Sequence, residues 1–494
     1  MLSQRVPRWP PNSLFRQLRP LQRAPAPTRQ LQLQLRHCSS SPSPEPKLPP
    51  DHRTLGLHQK LFTTSPYSPG SAFFLPAGTR IFNRLVTFLR NQYVRYGFEE
   101  VITPLIYKKD LWAKSGHLEN YAQDMYTVTG ARHHHTSPST PMTEEESEDS
   151  DREYGLKPMN CPGHCLIFSS QKRSFRDLPI RYADFSPLHR NENTGSLTGL
   201  TRVRRFHQDD GHIFCRPIQI EEEILKSLDF VKRTYSTLGL GPYRLALSTR
   251  PEQYMGSLED WTQAENSLRR ALDASGTAWT VNPGDGAFYG PKIDIVLQDS
   301  HGKEHQTATI QLDFQLPKRF ELEYIAPAPE LEQRGETTTD PDLLATFGPV
   351  RPVMIHRAVL GSVERLMALL IEHYDGKYPL WLNPNQIKII TLNDTEPVVE
   401  WAEKVREKLL GIAEGDVTPT HFAVDLDASA RPISVKKAEA LSAGASVVVT
   451  VGASEVEGKC VSVDLSAVTG SRKRQTMKVE ELKQWVGERV AANE

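Results

Sequence analysis

Residues 182–215, YADFSPLHRNENTGSLTGLTRVRRFHQDDGHIFC, decide how this chain is read. They set HRNE, a turn rich in Gly, Ser and Thr, the basic run RVRRF and the acidic HQDDGH in one hairpin-sized unit. Arg190, Arg202 and Glu192 in such a unit suit a nucleoside triphosphate. Guanidinium forks hold phosphate oxygens, and a carboxylate can accept from an adenine amine. Taken alone, the stretch also reads as a charged antiparallel hairpin on a solvated surface.

Two other segments share its logic: KPMNCPGH at 157–164 and PVMIHRAVLGSVERLMALLIEHY at 352–374. With all three, the chain resembles the class II aminoacyl-tRNA synthetases, and within them the threonyl-tRNA synthetases. The hairpin resembles the family's motif 2. The stretch from Pro352 resembles motif 3, a strand running into a helix that carries an adenosine-binding arginine, here Arg365. RNQYVRYGFEEVITPLIY at 90–107 resembles motif 1, a long helix and then a strand whose proline, Pro104, lies at a homodimer interface in this class. The resemblance runs from about Asp51 to near the C-terminus and is densest over 157–215 and 284–374. It implies an α+β fold: an antiparallel sheet flanked by helices, then an α/β anticodon-binding domain.

Composition sets bounds of its own. The 494 residues, 38% of them hydrophobic, are enough for two or three packed domains. A mean hydropathy of -0.47 and the lack of a long apolar run argue against a membrane span. Five scattered cysteines (Cys38, Cys161, Cys165, Cys215, Cys460) fit a reducing compartment better than a disulfide framework. Before residue 50, eight basic residues meet a single acid, Glu45, among interleaved Leu and Gln and a Ser run. This reads as an organellar, mitochondrial transit peptide over 1–50. That segment carries +7, so with -1 for the whole chain the remainder carries -8. A mildly acidic body must meet tRNA through local basic patches.

Periodicity predicts an amphipathic helix over 79–95, with Ile81, Leu85, Phe88, Leu89 and Val94 on one face, and a strand over 100–107. The stretch 130–153, with HHH and then an acidic Ser/Glu/Asp run, cannot bury a core and reads as a flexible insertion. A polar, Pro-rich stretch from Pro327 to Gly348 is expected to bridge to motif 3. A helix is expected over 219–240 and strands over 243–249 and 292–298. From 381 onward strands are expected at 387–392, 420–425, 445–451 and 459–465, with helices at 396–410, 432–442 and 479–491. The expected division is therefore a catalytic domain over 51–380 and an anticodon-binding domain over 381–494.

The resemblance also implies an activity and a site. A threonine–tRNA ligase joins L-threonine and ATP to an adenylate, then transfers the amino acid to tRNA(Thr), with Mg2+ accompanying the ATP. Arg190 would bind the α-phosphate, Glu192 the adenine amine and Arg202 the γ-phosphate side. Phe206 and Arg365 would cover the two faces of the adenine. Rejecting valine requires a site that binds the threonine hydroxyl, because an apolar pocket cannot discriminate between isosteres. The family does this with zinc, and its ligands carry over as Cys161, His212 and His356. Pattern alone reads these three, far apart in the chain, as isolated core residues. Cys165 and Cys215 match no ligand position and read as core thiols. Asp210 is expected to face the threonine ammonium with Gln208 beside it, and Tyr289 to reach the substrate. Lys292, Gln306, Thr309 and Ser362 resemble nucleotide- or substrate-contacting positions. For Thr309 and Ser362 a satisfied structural hydroxyl fits equally well.

The chain departs from the family in three places. No editing domain that hydrolyses mischarged seryl-tRNA is expected between the leader and the catalytic part. The 130–153 insertion is unusual. DLDASARPISVKKAEAL at 425–441 stands where bacterial relatives tend to have a basic, asparagine-bearing stretch. Lys436, Lys437 and residues 471–478 remain the expected tRNA-facing charges. Two rivals are weighed against this reading. A prolyl or seryl enzyme lacks the Cys161, His212, His356 and Asp210 combination. A silent paralogue would lose motif arginines that this chain keeps.

Overall fold

The computed structural model describes residues 49–129, 153–300, 302–471 and 473–494. The leader expected over 1–50 lies outside them except for Pro49 and Pro50, as does the 130–153 insertion except for Glu153.

Among the described residues, nine strands form the larger sheet. They are β1 (Glu99–Glu100), β2 (Ile180–Asp184), β3 (Pro187–His189), β4 (Arg205–Cys215), β5 (Arg244–Ser248), β6 (Trp279–Asn282), β7 (Lys292–Gln298), β8 (Glu304–Asp313) and β9 (Val353–Ser362). Their order is β6-β5-β7-β8-β9-β4-β2-β1, with β3 paired to β4. Only β1–β2 and β5–β6 run parallel; the other neighbours are antiparallel.

Alternation along the central strands separates two faces. Ile213, Ile310 and Ile355 belong to the main hydrophobic core, while their neighbours His212, Gln311 and His356 line a cavity. The core is closed by α1 (Pro76–Tyr96), α3 (Ile220–Thr237), α4 (Leu258–Ala274) and α5 (Val363–His373). Between α1 and α3 comes α2 (Cys161–Ser169), which packs against the cavity face through Cys165 and Phe168. Pro76 starts α1 in its first turn, and Gly97, at φ 68°, ends it where an L side chain would be strained. Its stripe of Ile81, Leu85, Phe88, Leu89 and Tyr93 is buried, each large apolar side chain contributing about 1.5–3 kcal/mol. Val94, expected on that stripe, is 83% exposed, because Tyr93 occupies the inward position.

The expected 100–107 strand is two short ones. β1 pairs with β2, and Ile106–Lys108 joins a separate sheet with Thr127–Thr129 and Glu153–Leu156. Pro104 has no N–H to offer a ladder, and the Thr103 side chain turns inward to donate to Asp184 Oδ2 at 2.7 Å. The 327–348 stretch is also no loose bridge. Strands Tyr324–Pro327 and Phe347–Val350 pair antiparallel around helices Pro329–Arg334 and Pro341–Ala345. Buried Glu332 anchors this unit, accepting from Arg216 at 2.6 and 2.7 Å and from Tyr324 Oη at 2.7 Å.

A second sheet holds β10 (Ile387–Thr391), β11 (Val424–Asp427), β12 (Val447–Val451), β13 (Val461–Asp464) and β14 (Gln475–Met477), in the order β11-β10-β12-β13-β14. It packs with α6 (Glu396–Leu410), α7 (Ile433–Ser442) and α8 (Val479–Ala492) around its own Val/Ile/Leu core. The helices fall where periodicity put them. The strand expected at 420–425 begins only at Val424, and β14 was not foreseen. Two expected tRNA-facing cations are otherwise engaged. Lys436 is buried, donating to Thr391 O at 2.9 Å and its Oγ1 at 3.0 Å, and Lys437 pairs with Asp464 at 2.7 Å. Among the described residues no helix is long and apolar enough to cross a membrane.

Candidate active site

Hairpin β3–β4, motif-3 strand β9 and strand β8 meet at a cavity of about 480 Å³. Register arranges its floor in rows. His212, His356 and Gln311 stand side by side across β4, β9 and β8, and Asp210, Ala358 and Thr309 form the next row. Beyond a register shift, Ser362 stands opposite Gln208. The shift passes through Gly361 at φ 63°, where a Cβ would come within 2.3 Å of the Thr307 carbonyl oxygen. Only glycine fits this position.

At one end of the cavity, Cys161, in the first turn of α2, meets the His212–His356 row. The donor atoms of the three buried residues lie within 4.8 Å of one another. His212 Nε2 is 3.0 Å from His356 Nδ1. Their outward nitrogens are braced: His212 Nδ1 lies 2.8 Å from His164 Nδ1, and His356 Nε2 lies 2.8 Å from Asp313 Oδ2. Behind His164 sits buried Asp184, at 3.7 Å. Burial would raise the Asp184 carboxyl, but contacts with His164, Ser186 and Thr103 and the Lys157 charge hold it well below the usual range. Burial, helped by neighbouring His164 and His356, lowers the His212 imidazole well below its ordinary value. Burial, and then Asp210, pushes the Cys161 thiol well up. One thiol and two imidazoles, each imidazole fixed by an outer partner, match the donor set and outer-shell bracing of a zinc site. Asp210 closes this end, accepting from Asn160 Nδ2 at 3.2 Å, and its own carboxyl is raised chiefly by burial.

The other end is cationic. Arg365 in the first turn of α5 donates to the carbonyls of Thr201 and Gln306, both at 3.0 Å. Its pKa is lowered by burial first and then by Arg190 and Arg202, with Glu192 opposing. Glu192 pairs with Arg202 at 2.8 Å. Arg190 lies over the Phe206 ring at 4.9 Å and over Tyr121 at 5.8 Å. Three guanidiniums around a half-enclosed space, with one carboxylate among them, form a field that a polyphosphate relieves.

The cavity lining thus gathers Cys161, Arg190, Glu192, Arg202, Phe206, Gln208, Asp210, His212, Tyr289, Gln306, Thr309, His356, Ser362 and Arg365. Lys292 is the exception. It is buried behind the lining, paired with Asp294 at 3.0 Å and Asp285 at 3.1 Å. Asp294 in turn accepts from Gln306 Nε2 and lies 3.4 Å from Thr309 Oγ1, so Lys292 acts one layer back. Ser362 also has a structural task, capping α5 by accepting from Arg365 N at 3.2 Å.

Gln311 in the lining and His117 behind Cys161 are among the residues that were not foreseen. Gln311 accepts from Tyr289 Oη at 2.5 Å and could have been found two positions beyond Thr309, on the same face of β8. His117, 3.8 Å from Cys161 Sγ, left no signal in the sequence, and burial lowers its pKa to about 3. Cys165 and Cys215 are fully buried core thiols.

Residues 143–333 match the family model described as tRNA synthetase class II core domain (G, H, P, S and T), and residues 386–489 match the anticodon binding domain. The chain is 48% identical over 447 residues to a probable mitochondrial threonine–tRNA ligase of Schizosaccharomyces pombe, covering 90% of each. It is 47% identical over 417 residues to the mitochondrial threonine–tRNA ligase of Saccharomyces cerevisiae, covering 81% of this chain and 83% of that one. A crystal structure titled as the RNA binding domain of threonyl-tRNA synthetase from Cryptosporidium parvum superposes with a TM-score of 0.75 at 43% identity, over 89% of this chain and 98% of that one. This chain belongs to the threonine–tRNA ligases of class II.

Proposed function

We propose that the cavity activates L-threonine with ATP and passes it to the 3′ end of tRNA(Thr) for mitochondrial translation. The observation that carries this is the pairing, in one cavity, of a Cys/His/His donor set with a cluster of three arginines. In the first step a carboxylate oxygen of threonine attacks the α-phosphorus of ATP, the bond to the bridging oxygen breaks, and pyrophosphate leaves. In the second a ribose hydroxyl of the terminal nucleotide attacks the carbonyl carbon, and AMP leaves. Both steps need alignment and charge neutralisation more than covalent help from the protein. Arg190 neutralises the α-phosphate between the two reactants. Arg202 and Arg365 hold the remaining phosphates and the adenosine, and Glu192 accepts from the adenine amine. Class II synthetases use Mg2+ with the ATP.

Cys161, His212 and His356 would hold a zinc ion, whose Lewis acidity supplies a contact for the threonine amine and hydroxyl that valine cannot satisfy. Asp210, beside Gln208 and Tyr289, orients the amine. We assign catalysis to 51–380 and anticodon binding to 381–494. The exposed apolar side chains of motif 1, Val94 at 83% and Ile102 at 89% with Leu105 and Ile106 nearby, form the homodimer face. The basic leader and the mitochondrial relatives support the matrix as the site of action.

The test is ATP–pyrophosphate exchange with each of the twenty amino acids, alongside metal analysis of the purified protein. Threonine-dependent exchange with about one zinc per subunit supports the reading. Exchange driven by another amino acid overturns it.

A further inference from the structure

The N-terminal helix His52–His58 has no part in the reaction as described, yet its first residue reaches the nucleotide loop. His52 is 4% exposed, and both of its ring nitrogens are engaged. Nδ1 lies 2.7 Å from Glu372 Oε1, and Nε2 accepts from the backbone N–H of Leu200 at 3.2 Å. This fixes one neutral tautomer, with Nδ1–H donating to the carboxylate. Asp51 is turned to Arg53, so this trio, although close together, is committed to hydrogen bonding and offers no free imidazole to a metal.

Leu200 is followed by Thr201, Arg202 and Val203, all of which line the cavity. Glu372 is at the end of α5, and Arg365 at its start donates to Thr201 O. The two ends of α5 therefore grip adjacent residues of one loop, Arg365 directly and Glu372 through His52. A second observation bears on the same point. Gly199 has φ 47°, and a Cβ there would come 2.2 Å from His52 Nε2, so the loop is seated directly on the imidazole.

We propose that His52 is a positioning residue for ATP. It holds the 198–203 loop so that Arg202 faces the nucleotide and the Thr201 carbonyl keeps Arg365 in place. The proposal rests on the reading of the cavity as an ATP site.

The experiment measures KM for ATP and for threonine in pyrophosphate exchange, with thermal melts, on the full chain carrying His52→Leu, His52→Gln or Gly199→Ala. Leucine leaves the Leu200 N–H without an acceptor, and a single unsatisfied buried donor corresponds to about a tenfold change. His52→Leu is expected to raise KM for ATP about tenfold, with threonine KM within about twofold. Glutamine keeps an acceptor for Leu200 and a donor for Glu372, and His52→Gln is expected to stay within about threefold of the parent. Gly199→Ala is expected to reproduce the ATP-specific loss, and it carries the test if the leucine variant fails to fold. An unchanged ATP KM, an equal rise in both constants, or a glutamine variant as impaired as leucine overturns the proposal. A parent chain without threonine-dependent exchange overturns the activity reading instead.

Discussion

The two ends of the cavity are built on opposite principles. At the Cys161–His212–His356 end all three candidate ligands are buried and the imidazoles are braced from behind, His212 by His164 and His356 by Asp313. At the arginine end the side chains repel one another, lean on backbone carbonyls and aromatic rings, and remain partly in solvent; the Arg202 side chain is 54% exposed. A pocket that must tell a hydroxyl from a methyl needs its geometry fixed before the substrate arrives. A pocket for a highly charged, abundant nucleotide can leave part of its electrostatics for the ligand to complete.

The harshest way to break this contrast is to remove a ligand at the fixed end. Cys161→Ser is expected to lose the proposed metal and at least about 100-fold of threonine activation while keeping the helical circular dichroism, because a metal there would serve the substrate and the trio lies beside the main core. A metal-free variant with parental exchange rates would remove the distinction between the ends. Next come the cations. Arg190→Ala and Arg365→Ala are each expected to lower kcat/KM for ATP about 30-fold or more, since removing one preorganised donor to the charge of the transition state costs about 2.7–4 kcal/mol. Metal content should stay at the parental level in both, as measured by atomic emission. A smaller effect tests the bracing itself. Asp313→Asn keeps every ligand but weakens the partner of His356 Nε2, and metal affinity by chelator competition should fall about 10- to 100-fold.

The smallest expected effect lies outside the cavity, at the Arg216–Glu332 pair. Burial would raise the Glu332 carboxyl, but hydrogen bonds from Arg216 and Tyr324 hold it below the usual carboxylate range. A depressed carboxylate contributes stability above its unfolded pKa and loses it as pH falls through the folded value. Glu332→Gln should therefore lower the melting temperature at neutral pH and matter least in acid. Urea melts at pH 7 and pH 3 measure this; an equal loss at both would show that packing, not charge, holds that unit.

Much of this molecule is legible one segment at a time. Alternation along β4, β8 and β9 and the helical stripe of α1 follow from where apolar residues fall, because side-chain period is a local property of the backbone. Errors appear where a neighbour overrides the local signal. Val94 loses the inward position to Tyr93, Pro104 and Thr103 break a strand that hydrophobicity alone would continue, and the Pro-rich 327–348 stretch folds around the Glu332 anchor.

The motif arginines and Glu192 were readable from sequence because they lie within one hairpin and one strand–helix unit, where chain distance and spatial distance agree. The candidate ligand trio was not readable from spacing, and only the family resemblance assembled it. Cys161, His212 and His356 are separated by 51 and 144 positions, and only the stacking of β4 on β9 with α2 above them brings their donor atoms within 4.8 Å. Likewise, sequence offered Lys292 as a nucleotide- or substrate-contacting position and Lys436 as a tRNA-facing charge, and gave His52 no role. Their places behind the cavity, under the second sheet and beneath the nucleotide loop are set by long-range packing. Sequence by itself therefore determined the residue types and the local elements of this ligase. Tertiary structure decided which side chains share a site, because burial and hydrogen-bond partners are properties of the assembled sheet.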